Sequence, residues 1–137
     1  MAYSDVEKAQ CDAIMEAFKP YLDGHAVHGK PYFDIVYSEK FGMYLDICNP
    51  SQTDNPSWTD MSWLRTPQEM LEAFLIEICD DVIFRRAVSH DVEKRRSECM
   101  QTINAALSRM DDKNRALWEP VAVGYIETVD FYKDLHE

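Results

Sequence analysis

The chain has 137 residues, 46% hydrophobic and 28% charged. That is enough to bury a core without metal or disulfide staples, and no window approaches the ~20 apolar residues that cross a bilayer. The net charge of −11 repels phosphate backbones and argues against direct nucleic-acid binding.

Four cysteines, Cys11, Cys48, Cys79 and Cys99, are widely spread with no C-x-x-C pair. This points to reduced thiols in a cytoplasmic protein, not to a disulfide framework or a zinc ribbon. The start, Met1-Ala2-Tyr3-Ser4-Asp5, lacks the basic and apolar regions of a secretory signal. Acidity is uneven: residues 1 to 84 carry 15 acids against 5 bases.

Ser4 and Glu7 have the spacing of a capping box, which predicts a helix from about 5 to 21. Val6, Ala9, Ala13, Ile14, Ala17, Phe18 and Tyr21 recur at helical spacing. Gly24 is an end signal, and Pro20 should tighten or break the last turn.

The stretch "DGHAVHGK", residues 23 to 30, then places His25 and His28 three positions apart. Zinc needs three or four protein ligands, and the spacing lacks the H-E-x-x-H signature. A polar connector is the simpler reading, with no metal and no cofactor.

Residues 32 to 48 alternate apolar and polar on either side of a turn, which predicts a β-hairpin. Matching the apolar sets favours pairing 37 with 43, 35 with 45 and 33 with 47. Residues 49 to 65, rich in Asn, Pro, Ser, Thr and Asp, read as a long connector. Within it Trp58, Met61, Trp63 and Arg65 are of the types enriched at protein interfaces. They are the candidate partner-binding residues.

Thr66, Pro67 and Glu69 form a second helix start. Leu71, Phe74, Leu75, Ile78, Cys79 and Val82 follow as a stripe, widened by Met70, Ile76 and Ile83. The apolar arc exceeds half the circumference, as in a helix covered on several sides. Glu69, Glu77, Asp80 and Asp81 fall opposite this stripe, on a face read as solvated.

A third helix is predicted from about 90 to 110, capped by Ser89, with Val92, Cys99, Ile103, Ala106, Leu107 and Met110 inward. In "RRAVSHDVEKRR" the charges pair locally, Asp91 with Arg95 and Lys94 with Glu98. A last helical region starts at Asp111 or Asp112, with Leu117, Trp118, Val121, Tyr125, Val129 and Tyr132 on one side and a kink or restart at Pro120.

The order predicts a single compact α+β domain over residues 1–137: an N-terminal helix, an antiparallel β-hairpin, and a bundle of three helices packed on it. There is no G-x-S-x-G elbow and no phosphate-cradling glycine loop. The functional expectation is a small acidic cytoplasmic module, regulatory or accessory, that binds another protein or forms a homodimer and does not enter a membrane. One alternative is a metal-dependent or acid–base enzyme using His25, His28 and the second helix's carboxylates. Another is an acidic nucleic-acid mimic that blocks a basic protein.

Overall fold

The structure, a computed structural model, describes residues 4–24, 33–38, 42–48, 58–85 and 91–131, and side chains within 4–24, 64–83 and 91–131. The chain divides into two compact units, residues 1–70 and 71–137.

In the first unit, α1 runs from Asp5 to Gly24. Its capping box is complete: the Ser4 amide donates to Glu7 Oε1 at 3.0 Å, and the Glu7 amide donates to Ser4 Oγ at 3.1 Å. Cys11, Ile14, Ala17, Phe18, Tyr21 and Leu22 are buried. Val6 and Ala9, counted in the apolar stripe, are exposed. The helix continues through Pro20, past the predicted end at 21. Proline removes one backbone donor, but the buried stripe extends on both sides of it and holds the last turn in register.

The same unit holds β1 (Phe33–Ser38), β2 (Gly42–Cys48) and β3 (Trp58–Leu64), in the antiparallel order β1-β2-β3. Between β1 and β2, Tyr37 pairs with Met43, Ile35 with Leu45 and Phe33 with Ile47. A slip of one residue would send every member of that apolar set to the opposite face. Between β2 and β3, Tyr44 pairs with Trp63 and Asp46 with Met61. The register shifts at Ile47/Cys48, so that Cys48 pairs with Trp58.

The α+β expectation is corrected. Where side chains are described, the chain is almost entirely helical, 87% in four helices. The buried residues whose side chains are described come from the helices and the residues flanking them. In the second unit the helix Val92–Ser108 packs against the helix Asp112–Thr128 and against the π-turn Asp81–Arg85. The backbone of 33–64 does not form a lone hairpin either, because the supposed connector carries a third strand. The physical reason is that stripes as wide as that of the helix Pro67–Asp80 are covered on several sides, here by helices within the second unit.

At the junction of the units, α2 (Pro67–Asp80) starts on a cap close to the predicted one. Thr66 Oγ1 accepts from the Glu69 amide at 3.1 Å. Glu69 Oε2 accepts from the Arg65 amide at 2.6 Å, one position before the reciprocal partner of a capping box. Met70, Leu71, Ala73, Phe74, Leu75, Ile78 and Cys79 are buried. Ile76, placed in the widened stripe, is instead 43% exposed.

The second unit continues α2 as a π-turn, Asp81–Arg85, which contacts α3 (Val92–Ser108). The cap of α3 is Asp91, whose carboxylate accepts from the amides of Glu93 and Lys94 at 2.9 and 3.2 Å. Ser89, the predicted cap, lies outside the described residues. Cys99, Ile103, Ala106 and Leu107 are buried, and so is Arg95, one turn before Cys99.

Asp111 caps α4 (Asp112–Thr128), which continues through Pro120 without a restart. Its buried line is Trp118, Ala122 and Ile126 at four-residue steps. Leu117, placed on the inner side by the sequence, is 45% exposed. Arg115 closes the α3–α4 turn, donating to the carbonyls of Leu107, Ser108 and Met110 at 3.2, 3.4 and 3.5 Å. The Leu107 carbonyl also accepts from the Met110 amide at 3.1 Å, so the guanidinium adds a second donor at the end of α3.

Candidate functional site

The second unit has a cavity of about 270 Å³ where the end of α2 meets the end of α4. Cys79, Asp80 and Ile83 line one side, and Tyr125, Thr128, Val129 and Asp130 the other. The π-turn begins at the cavity edge. Such turns widen the helix and recur at functional sites. Here it follows an apolar run that demands burial and precedes the basic end of the segment.

Cys79 is 3% exposed and Cys99 fully buried, and both are free thiols. Interaction with the Cys99 thiol, then burial, then the negative charge that Cys99 and Asp80 would bring, pushes the Cys79 thiol well above the ordinary range. Cys11, in the first unit, is pushed up to about 11 by burial and by Asp12 and Glu7. These are protonated, inert thiols at neutral pH.

Tyr125 is pushed up to about 12, by burial first and then by Cys79, Asp80 and Glu72. The cavity wall therefore carries a phenol held protonated beside a field of carboxylates. Thr128 Oγ1 donates to the Tyr125 carbonyl at 2.7 Å, which fixes its rotamer against the wall.

Three buried charged residues of the same unit were concealed in the sequence. Glu77, Asp81 and Arg95 are 7%, 4% and 2% exposed. Glu77 and Asp81 had been placed on a solvated face, and Arg95 in a surface pair. The π-turn that starts at Asp81 contacts α3, which carries Arg95. Arg95 Nη1 donates to the Phe131 carbonyl at 3.0 Å. Neighbouring Arg96 lies over the Phe131 ring, 5.4 Å from its centroid, and holds Glu93 at 2.6 Å. Phe131 is 1% exposed. The one sequence clue was Arg95 itself, four positions before Cys99 on the inward stripe.

The predicted partner-binding residues group differently. Trp58, Met61 and Trp63 are on β3, the last strand of the sheet among the described residues. Arg65 follows the strand and is exposed. The second helix's carboxylates are not gathered into one centre: Glu69 serves the cap, Asp80 lines the cavity, and Glu77 and Asp81 are buried. His25 and His28 lie outside the described residues. Among the described residues no group of three or more His, Cys, Asp or Glu could hold a metal ion, and no helix is long and apolar enough to cross a membrane. No protein-family model, curated protein or solved structure matches the chain.

Proposed function

We propose that the chain is a protein-interaction module whose contact element is β3, and that it takes up an extended, basic segment of a partner protein along that strand. The observation that supports this is the placement of Trp58, Met61 and Trp63 on β3, an outer strand of the sheet among the described residues. An edge strand offers a row of main-chain donors and acceptors to an added strand. Trp and Met are among the residue types that anchor interfaces. The preference for a basic segment follows from 15 acids against 5 bases over residues 1 to 84.

The test is a paired capture from the native cell with the wild-type chain and the double variant Trp58→Ala, Trp63→Ala. The retained protein is then added back during hydrogen exchange. A partner held by the wild type and lost by the variant, with slowed exchange at 58–64, supports the reading. Slowed exchange elsewhere, or capture indifferent to the variant, overturns it. If the chain alone forms a dimer that slows 58–64 and binds nothing further, the strand serves self-association instead.

A further inference from the structure

We propose that the outward face of α4 is a homodimer interface, on which a second copy of this chain packs its own α4 antiparallel about a two-fold axis at Pro120. This interface is independent of β3 and lies in the other unit. α4 contacts α3 and buries Trp118, Ala122 and Ile126. On its opposite side Ala116, Leu117, Pro120, Val123 and Gly124 are all exposed, Leu117 at 45% and Val123 at 37%. They form one uncharged patch in the middle of the helix. At about 3.6 residues per turn, Arg115 and Glu119 fall outside it. Charge appears only at its two ends, on Lys113 and Glu127, both exposed.

Two features of the patch select its occupant. The first is charge. Lys113 and Glu127 stand seven positions before and seven after Pro120, the repeat of a helix–helix seam. A parallel second copy would set lysine against lysine and glutamate against glutamate. An antiparallel copy centred on Pro120 sets Lys113 against Glu127 of the partner subunit, and the two-fold repeats that pair at the other end. Opposed charges so placed fix the register and reject the parallel arrangement.

The second feature is shape. The same two-fold brings Leu117 over Gly124 of the partner subunit and Val123 over Ala116 of the partner subunit. Each larger side chain then meets a small one, which lets two helices approach closely. Gly124 has no such reason within its own chain. A β-carbon there would meet nothing within 4 Å, and a mid-helix glycine is unfavourable relative to alanine. The partner subunit's Leu117 supplies the reason.

The experiment is sedimentation of the full chain over a range of concentrations, under reducing conditions, with Lys113→Glu, Glu127→Lys and the double exchange. All the changes fall on exposed positions, so the fold is kept. Wild-type chain should pass from monomer to dimer as concentration rises. Hydrogen exchange over 113–127 should slow in the dimer, and that over 58–64 should not. Each single reversal should weaken the dimer about tenfold. The double exchange should restore it, and an equal mixture of the two single variants should form the mixed dimer in preference to either pure one. Gly124→Leu, which fills the space for Leu117 without changing charge, should also weaken the dimer. Should that variant fail to fold, the charge exchange decides. Wild-type chain that stays monomeric at every concentration overturns the interface. So does a dimer indifferent to the single reversals, one not restored by the double exchange, or one that protects 58–64 in place of 113–127. The β3 reading fails separately, by capture of a partner that ignores Trp58 and Trp63.

Discussion

Arg95 and Phe131 are bound to each other across 36 positions, through a 3.0 Å hydrogen bond from the guanidinium to the main-chain carbonyl. Both residues are almost fully buried, so the bond closes the segment after α4 back onto α3. A hydrogen bond from a charged donor contributes about 1.5–3 kcal/mol net. Replacing Arg95 by Met keeps the aliphatic stem but leaves the carbonyl without that donor. We expect Arg95→Met to lower unfolding stability by about 1.5–3 kcal/mol in urea, with the slope unchanged. Phe131→Ala should cost about 3–5 kcal/mol, since it opens a cavity under Arg96 as well. An Arg95→Met variant as stable as wild type would show that this bond does not hold the segment after α4.

The turn between α3 and α4 depends on Arg115. Its guanidinium reaches three carbonyls, but only the 3.2 Å contact to Leu107 approaches good geometry. The benefit is therefore closer to one ordinary hydrogen bond than to three. Arg115→Ala should cost about 1 kcal/mol, and Arg115→Lys nearly as much, because an ammonium cannot span the set. Amide exchange at residues 106 to 112 should speed up in both. Unchanged exchange there would show that the turn holds itself.

How far the sequence reached is clearest at these same residues. Helix starts were legible because capping is local: Ser4 with Glu7 and Thr66 with Glu69 lie within one turn. Arg95 was not, since its partner lies at the far end of the unit and nothing in a four-residue window points there. Glu77 and Asp81 misled for a related reason. Helical periodicity reports which residues share a face, and whether that face meets water depends on what else covers it. The strand β3 was read as connector because Asp60 and Ser62 are poor strand formers; pairing with β2 overrode that preference. At the candidate sites, Trp58, Met61 and Trp63 were singled out by residue type alone.

Asp111 gives α4 an acid-sensitive start. Its carboxylate lies below its ordinary value of 3.8, chiefly through the hydrogen bond from the Asn114 amide and then that from the Asn114 side chain. A lowered value means the capping contribution is present above 3.8 and is lost as pH falls through the lower folded value. The Asn114 amide resonance should therefore shift with a midpoint below 3.8. Asp111→Asn can still cap, because an amide oxygen also accepts, but it carries no titrating charge. Its Asn114 amide should show no such midpoint. An identical titration in the variant would assign the shift to some other acid.

Tyr125 carries the complementary prediction at high pH. Burial disfavours its phenolate, and Cys79, Asp80 and Glu72 add to the effect, which places the phenol at about 12 rather than 10. The folded state thus keeps a proton that the unfolded chain releases near 10. Stability is unaffected below 10 and declines as pH rises towards 12. Absorbance at 295 nm should show a late-titrating phenol that is missing from Tyr125→Phe. Asp80→Asn should move that late phase downward, by less than the whole shift, since burial is the largest cause. The variant chain should also lose less stability than wild type between pH 10 and 12. A Tyr125 phenol that titrates at the ordinary value of 10 would mean that the cavity wall is open to water and its carboxylates are screened.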